Sequence, residues 1–382
     1  MNTTNNRLMR RLLVLSTLAL AAPACGRDGG PGDPLTVSPA LALGGPDNEV
    51  EAPPTNPTTA AKVALGRDLF WDPVLSGNRD VACASCHHPA LGYADGRRTS
   101  IGTGGTGLGA RRTIAPGALT PDRNAMTVLD VAFNGLTVDG PMPALESPMF
   151  WDNRTRSLEQ QALGPIRAES EMRGRAYDEE HILPEVVRRL AAIPAYVAQF
   201  ERAYGSPGVT TDRLGGAIAA FERSLVTTDS SFDRYMRGDA TAMTALQVRG
   251  MDVFQESGCG GCHSGPMFSD FELHALGVPD LPGAAHDAGD GRNRFRTASL
   301  RFVTRTAPYM HNGVFSSLND VYGFYRRAAG RAADPALRGV RAPQGDEAAA
   351  VTAFLEALSN GTLDTTVPAS VPSGLAVGGA IR

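Results

Sequence analysis

The sequence has little of several features that would assign it at once to a class. The formal net charge is only −4 over 382 residues. The chain therefore lacks the excess of positive charge that is typical of proteins that bind nucleic acids. The apolar run at residues 12–22 is too short to span a bilayer as a mature helix. Aromatic residues make up 6% of the chain, whereas glycine and proline number 43 and 27. We therefore expect long loops between short helices, and nothing in the pattern supports a substantial sheet.

Cysteine is also scarce, and four of the five cysteines fall in two copies of one motif. Residues 83–87 read Cys-Ala-Ser-Cys-His and residues 259–263 read Cys-Gly-Gly-Cys-His. Cys-x-x-Cys-His is the attachment signature of c-type haem, in which two thiols add to the vinyl groups of a porphyrin and the histidine ligates the iron. A redox dithiol or half of a zinc site would fit one copy, but two complete copies favour two haems. The predicted attachment and ligand residues are Cys83, Cys86, His87, Cys259, Cys262 and His263.

The N-terminus indicates export. Arg7, Arg10 and Arg11 precede the apolar run and small residues follow it, which predicts a signal peptide over residues 1–24. Cys25 then lies at or near the mature N-terminus, or it carries the lipid of a lipoprotein, and the sequence leaves both open. Residues 25–58 predict a flexible tether because they are rich in glycine, proline, aspartate and asparagine. Since bacterial c-type haem is attached outside the inner membrane, we expect a location in the periplasm or on the outer face of a membrane.

Helical periodicity begins after the tether. Helices are predicted over residues 60–70, 182–204, 212–226 and 347–358, and the second and third of these are amphipathic. Capping-box starts are predicted at Ser157 and Thr244, and one more helix should run from Ser317 through Arg327. The helix from Ser157 should stop at Gly164-Pro165. The mostly polar stretch 227–239 divides the folded part into residues 59–235 and 236–382. Each haem motif follows a short helix, so the predicted fold is all-α and loop-rich, with two cytochrome c-like haem domains.

Ordered motifs between and after the haem signatures resemble the bacterial di-haem cytochrome c peroxidase/MauG superfamily over residues 60–358. They are Leu69-Phe70, Leu75-Ser76, Arg123-Asn124, Glu171-Met172 and the stretches 150–154, 157–162, 265–270 and 306–313. In that family two haem domains pack side by side, which agrees with the all-α prediction. Asn153 stands where the family usually has glycine. Asparagine tolerates positive φ better than most residues, so we expect this turn to persist.

The resemblance implies roles for several residues around the first haem. Trp151 matches the tryptophan that lies between the haems as an electron relay. Gln161 and Glu171 match the pair over the distal face of the first haem, and Pro165 shapes the same pocket. Cleavage of the peroxide O–O bond needs a group that takes a proton from one oxygen and returns it to the other, which a carboxylate in a partly apolar pocket can do. Without the resemblance, Glu171 would be interpreted as a solvated acid at a helix end.

The resemblance also implies a calcium ion between the haems. Asn124 would supply a side-chain oxygen, and Thr306 and Pro308 would supply backbone carbonyls. Oxygen ligands of this kind suit Ca²⁺. The alternatives are a turn cap for Asn124 and, for the other two residues, a turn before a core Tyr309.

Two departures distinguish this sequence from the ordinary peroxidases of the family. Between His88 and Trp151 there is no histidine that would close the distal side of the first haem, and His88 directly follows the proximal ligand. An open distal site is therefore expected. Alignment of the helix after Ser317 places Tyr325, as in MauG and MbnH, where ordinary members supply methionine to the second iron. A phenolate-like oxygen stabilises high-valent iron. Tyr322 or a methionine remains the alternative ligand.

These features imply a MauG/MbnH-like enzyme. Hydrogen peroxide would react at the first haem, and a bis-Fe(IV)-type state would be shared with the second. Electrons would then come from a residue, expected to be a tryptophan, of an MbnP-like partner protein. One alternative is a cytochrome c peroxidase that takes electrons from a small cytochrome or cupredoxin. The other is a non-catalytic di-haem electron carrier, which has no use for an open site with an acid and an amide.

Overall fold

The computed structural model describes residues 50–329 and 334–382. Within them the chain is mostly helical, with long loops and short strands. The helices are α1 (Ala60–Trp71), α2 (Leu158–Gln161), α3 (Gly164–Arg167), α4 (Glu179–Ala191), α5 (Pro194–Tyr204), α6 (Thr211–Ser224), α7 (Ser231–Met236), α8 (Ala245–Glu256), α9 (Leu318–Ala328) and α10 (Asp346–Ala357). A π-helical turn at Glu169–Arg173 follows α3. The expectation of a helical, loop-rich protein is confirmed.

The strands of the described residues form three antiparallel two-stranded ladders. They are β1 (Gly105–Thr106) with β2 (Thr113–Ile114), β3 (Pro148–Met149) with β4 (Thr155–Arg156), and β5 (Leu273–His274) with β6 (Phe295–Arg296). The turn between β3 and β4 carries Trp151. No larger sheet occurs in these two ranges, in agreement with the sequence pattern.

Two pairs of helices cross at a glycine. Gly66 of α1 lies so close to the backbone oxygen of Ala217 on α6 that a Cβ atom would overlap it. Gly250 of α8 meets the backbone oxygen of Ala350 on α10 in the same way. Glycine permits this approach because it has no side chain. Since α1 and α8 each end shortly before one of the Cys-x-x-Cys-His motifs, the two halves of the chain repeat one arrangement.

One expectation about helices is corrected, and one helix is new. The single helix predicted over residues 182–204 is two helices, α4 and α5, because Pro194 begins a new helix after a turn. The polar stretch 227–239 contains α7, whose N-terminus is closed by a capping box between Ser230 and Asp233. Asp233 is buried and pairs with the buried Arg301 at 3.0 Å. Polar residues therefore form part of the interior here.

The C-terminal segment returns to the first half of the chain. The hydroxyl of Tyr93 donates to the backbone oxygen of Asp364 at 2.6 Å, and that of Ser85 donates to the backbone oxygen of Gly378 at 2.8 Å. The predicted boundary at residues 235 and 236 remains a prediction. These contacts place the last twenty residues against the first half, although that boundary assigns them to the second.

The predicted signal peptide, Cys25 and most of the predicted tether lie outside the described residues. The end of the tether, however, is part of the fold. Asn56 is buried, donates to Glu159 at 2.9 Å and accepts from Lys62 at 2.8 Å. The tether prediction is therefore wrong at its C-terminal end. Of the helices in the described ranges, none has the length and apolar character needed to cross a membrane.

Candidate active site

A cavity of about 910 Å³ is lined by residues from both halves of the chain. Its wall includes all the residues predicted to attach or ligate haem, which are Cys83, Cys86, His87, Cys259, Cys262 and His263. Much of the rest is apolar, including Met149, Ile218 and Val351. Concave apolar sites with a few convergent polar groups are the usual form of cofactor sites.

The two motif histidines are held in the same way. His87 Nδ1 lies 3.2 Å from the backbone oxygen of Tyr93, and His263 Nδ1 lies 2.9 Å from that of Phe268. Because a carbonyl oxygen only accepts, Nδ1 carries the proton in both rings and Nε2 keeps its lone pair. Burial lowers the pKa of both imidazoles. Each ring is therefore oriented to ligate a metal through Nε2.

Burial favours the thiol form of a motif cysteine in each half of the chain. None of the four cysteines in the described residues forms a disulfide. Burial raises the pKa of Cys86 to about 12 and that of Cys259 to about 11. The thiolate is the form that reacts as a redox nucleophile, so the burial of these two thiols disfavours a redox dithiol. The residues present fit two covalently attached c-type haems.

The three residues expected on the distal side of the first haem all line the cavity. Gln161 ends α2, and Pro165 lies in the first turn of α3, so the Gly164-Pro165 pair follows one helix and begins the next. Glu171 is the central residue of the π-helical turn, and such turns occur frequently at functional sites. The structure thus brings these residues into the wall of one cavity.

The backbone of Glu171 is braced by a loop that sequence reasoning missed. Thr103 donates to the backbone oxygen of Glu171 from its amide at 2.8 Å and from its hydroxyl at 3.1 Å. Gly102 packs against the same oxygen with no room for a Cβ atom. Burial raises the pKa of the Glu171 carboxyl, and Arg154 partly opposes this. A raised pKa lets a carboxyl take and return a proton more readily near neutral pH.

Trp151 lies in a tight turn between β3 and β4. Phe150 and Asn153 adopt positive φ angles of 64° and 54°, and the Asn153 amide donates to the backbone oxygen of Phe271 at 3.0 Å. The turn expected at Asn153 without glycine is therefore present. It places Trp151 in the cavity wall, where its indole Nε1 donates to the backbone oxygen of Asn124 at 2.9 Å.

Two arginines, Arg123 and Arg296, stabilise this turn. The sequence analysis assigned a role to neither of them. Arg123 pairs with Asp152 at 2.7 Å. Arg296 donates from Nε to the backbone oxygen of Phe150 at 2.9 Å, and its backbone amide donates to the oxygen of Trp151 at 2.6 Å. The hydrogen bond from Arg296 to Phe150 joins residues that are 146 positions apart in the sequence. No local pattern signals a contact at such a separation.

The three residues predicted to bind calcium also line the cavity. The side-chain amide nitrogen of Asn124 donates to the backbone oxygen of Arg97 at 2.7 Å, which leaves its Oδ1 as an acceptor. Thr306 and Pro308 follow a short helical turn in the second half of the chain. All three offer neutral oxygens, and calcium binding stays a prediction.

Helix α9 presents two tyrosines to the cavity. The hydroxyl of Tyr322 lies 3.1 Å from Oγ1 of Thr352 on α10, so it is already engaged. Tyr325 lies one turn further along, where burial raises its pKa. The helix predicted from Ser317 is present, with a capping box between Ser317 and Asp320.

The remaining histidines near the site have other partners. His88 packs edge-on against Trp71 at 5.4 Å and is absent from the cavity wall. His274 and His286 line the cavity, but each lies within 3.0 Å of an aspartate oxygen. His311 is stacked on Phe295 with ring centres 3.6 Å apart.

A buried acid in the cavity wall was missed altogether. Glu222 on α6 is 4% exposed, and within the described residues its Oε2 has no hydrogen-bond partner. Burial raises its pKa to about 8, an effect that Arg223 opposes and Glu159 adds to. A glutamate in an amphipathic helix is expected to face solvent, so the sequence does not indicate that Glu222 is buried in the cavity wall.

Comparison with known proteins adds an independent line of argument. Residues 60–241 match the model of the di-haem cytochrome c peroxidase family. Cytochrome-c peroxidase IdrP1 of Pseudomonas sp. strain SCT is 34% identical over 366 residues, or 85% of this chain and 86% of that protein. Methylamine utilization protein MauG of Methylorubrum extorquens is 36% identical over 288 residues, or 72% of this chain and 71% of that protein. A MauG-like protein associated with microbial copper homeostasis has a crystal structure that superposes with a TM-score of 0.65 at 26% identity, covering 83% of this chain and 95% of that one.

Proposed function

This chain belongs to the di-haem cytochrome c peroxidase family, whose members are peroxide-dependent oxidoreductases with two c-type haems, and we propose that it is a member of the MauG/MbnH type. In this proposal it uses hydrogen peroxide to oxidise a tryptophan of a partner protein. The observation that carries the proposal is that Tyr325 lines the cavity from α9. The family resemblance aligns this residue with the methionine of ordinary peroxidases. The competing Tyr322 is committed to Thr352.

The two haems, once attached, supply the iron that breaks the peroxide O–O bond and stores oxidising power. The protein supplies the proton transfer. A Glu171 oxygen takes the proton from one peroxide oxygen and returns it to the other, which leaves as water. The Gln161 amide hydrogen-bonds the peroxide and fixes its orientation, and Pro165 limits the space around it. The bracing of Glu171 by Thr103 supports this role because it fixes the backbone from which the carboxyl extends.

The route for electrons is the second part of the proposal. Trp151 relays electrons across the cavity. The partner protein that the enzyme oxidises therefore never enters the haem pocket. The hydrogen bond to Asn124 and the contacts of Arg296 keep the indole in one position, which supports a relay role. The partner is proposed to be an MbnP-like protein. The likeness to a MauG-like protein associated with copper homeostasis favours this over a role in methylamine utilization.

The proposal includes three further features. The chain is exported to the periplasm or to the outer face of a membrane, and Cys25 is the residue that would carry a lipid. Its fold is two cytochrome c-like domains, a view that the repeated glycine crossings of α1 with α6 and of α8 with α10 support. Asn124, Thr306 and Pro308 bind Ca²⁺. Metal analysis that compares the calcium content of the purified wild-type holoprotein with that of Asn124→Ala tests this binding. A wild-type protein without calcium would refute it.

The test of the main proposal is stopped-flow spectroscopy of the fully oxidised holoprotein with one equivalent of hydrogen peroxide. The wild type should react at once, without prior reduction, and the spectral change should persist until an added tryptophan-containing protein is oxidised. Tyr325→Met should abolish the persistent change, and Tyr322→Phe, the matched control, should keep it. A wild type that reacts only after one haem is reduced has a hidden distal ligand, and the proposal then fails.

A second candidate function is supported by the relatives named cytochrome-c peroxidase. In that case the chain would reduce hydrogen peroxide with electrons from a small cytochrome or cupredoxin. Steady-state turnover with reduced cytochrome c separates the two functions. Rapid turnover that Tyr325→Met leaves unchanged would establish the ordinary peroxidase.

A further inference from the structure

Arg296 is a buried cation in the cavity wall. Its side chain is on β6, and the residue is 5% exposed. In residues 50–329 and 334–382, no carboxylate lies within ion-pair distance of its guanidinium. Asp152 acts on it at longer range, but that carboxylate is already paired with Arg123 at 2.7 Å and with Arg154 at 2.8 Å. Arg296 is thus a buried positive charge without a matching negative one.

The hydrogen bonds of Arg296 do not use all its donors. Nε donates to the backbone oxygen of Phe150 at 2.9 Å, and Nη1 donates to that of Pro148 at 3.3 Å. Among the described residues, Nη2 donates only to the sulfur of Met126 at 3.4 Å, and a thioether is a weak acceptor. A guanidinium has five N–H groups, so two hydrogens on the Nη atoms remain available. Burial lowers the pKa of Arg296 to about 10, which still leaves it charged at neutral pH.

Among the other buried arginines of the described chain, some are paired with a carboxylate and Arg112 has its donors taken up by backbone carbonyls. Arg301 pairs with Asp233 at 3.0 Å, and Arg223 pairs with Glu159 at 2.7 Å. Arg112 has no ion pair of this kind, but its guanidinium donates to four backbone carbonyls and it does not line the cavity. An uncompensated buried charge is strongly unfavourable. The position of Arg296 in the wall therefore calls for an anion inside the cavity.

We propose that Arg296 binds a propionate carboxylate of one of the two porphyrins. Each porphyrin of a c-type haem carries two such carboxylates, and arginine binds carboxylates through its paired N–H groups. Arg296 would then connect the cofactor to the relay, because its amide donates to the oxygen of Trp151 at 2.6 Å and its Nε holds Phe150. The inference rests on the two haems of the family. It is independent of what the enzyme oxidises.

The test compares Arg296→Gln with Arg296→Lys. Glutamine is neutral but keeps a donor for the carbonyls of residues 148 and 150, whereas lysine keeps the charge and loses the planar donor set. Arg156→Gln is the matched control, because Arg156 is exposed on the neighbouring β4 and does not line the cavity. The readouts are haem content and the midpoint potential of each haem as a function of pH.

We expect Arg296→Gln to lower one midpoint potential, because a positive charge near the haem is lost. A carboxylate without its cation also has a raised pKa, so that potential should gain a pH-dependent step absent from the wild type. Arg296→Lys and Arg156→Gln should keep the wild-type potentials. Normal haem loading in the lysine variant with loss of haem from the glutamine variant supports the same conclusion.

Two outcomes overturn the inference. If Arg296→Gln keeps the wild-type potentials, the charge does not meet the cofactor. A lowered potential without a new pH-dependent step indicates a through-space effect without a carboxylate contact.

Discussion

The indole Nε1 of Trp151 donates a hydrogen bond of 2.9 Å to the backbone oxygen of Asn124. Asn124 is held in turn, since its backbone amide donates to the oxygen of His311 at 2.7 Å and its side-chain amide to that of Arg97 at 2.7 Å. The predicted electron relay and a predicted calcium ligand are therefore one hydrogen-bonded unit. This unit ties the loop after the first haem motif to a turn in the second half of the chain.

Trp151→Phe should separate protein oxidation from the reaction with peroxide. Phenylalanine keeps the ring but loses the hydrogen bond to Asn124 and the readily oxidised indole. We expect oxidation of a tryptophan-containing protein to slow at least about tenfold, or about 1.4 kcal/mol in the barrier, while the initial reaction with peroxide keeps its rate. Stopped-flow spectra and mass spectrometry of the partner measure the two steps.

The chain offers a matched control for this variant. Trp71 is its other tryptophan; it is fully buried, lies outside the cavity wall, and in the described residues its Nε1 has no hydrogen-bond partner. Trp71→Phe should leave both rates unchanged. Equal slowing in the two variants would mean that loss of packing, and not loss of the relay, is responsible.

Glu171→Gln should suppress the reaction with peroxide itself. The amide fits the same space but cannot take a proton, and a positioned acid–base group contributes about 10²- to 10⁴-fold to a rate. Because burial raises the pKa of Glu171, the wild-type rate should rise with pH as this carboxyl ionises, and the variant should lose that dependence. Glu169→Gln is the control, since Glu169 lies in the same turn but pairs with Arg175 at 3.2 Å near the surface. A Glu171→Gln protein with the wild-type rate would remove this residue from the mechanism.

The parts of the fold that local chemistry determines could be predicted from the sequence. A capping box is predicted at Thr244 and a helix start at Ser317, and both residues begin helices in the structure. Spacing alone marked the two haem motifs, because thiols and imidazole must meet one porphyrin. The break before Pro194 was missed because the apolar periodicity continues on both sides of it.

Long-range pairing accounts for what the sequence pattern does not show. The stretch 227–239 is mostly polar and is predicted to be a domain boundary, but the pairing of its Asp233 with Arg301, 68 positions away, leaves no local signal. Arg296 and Glu222 were missed for the same reason, since only the tertiary structure brings their charges to the cavity. The roles assigned to Gln161, Glu171 and Tyr325 came from the resemblance to a family. Without that resemblance, the sequence pattern predicts that Glu171 is a solvated acid at the end of a helix.

The glycine crossings predict a stability effect that repeats in both halves. A Cβ atom at Gly66 or Gly250 would overlap a backbone oxygen of the facing helix. Overpacking of this kind costs about 1–3 kcal/mol, so each alanine variant should unfold at lower denaturant concentration. Gly323→Ala in α9 is the control, because its Cβ would meet only the ends of arginine side chains. Its stability should change by less than about 1 kcal/mol. Equal losses in all three variants would show that the crossings are not special.

Glu222 should make the stability of the holoprotein fall as pH rises. Its pKa is about 8 in the folded protein, against 4.5 for an ordinary glutamate. Between these values the unfolded chain loses a proton that the folded protein keeps, so rising pH favours the unfolded state. Below pH 4.5 the carboxyl is protonated in both states and imposes no penalty. Glu159, Arg223 and Cys83 are the charged or titratable groups around it.

Glu222→Gln removes this titration without changing the shape of the side chain. Thermal unfolding at pH 5, 7 and 9 should therefore show a smaller loss of stability with pH in the variant than in the wild type. Glu180→Gln, at a carboxylate whose side chain is 80% exposed on α4, should follow the wild type. If Glu222→Gln and the wild type lose stability in parallel, Glu222 is ionised in the fold. The haem cavity must then contain a compensating charge or water close to α6, because an isolated buried carboxylate is too costly to persist.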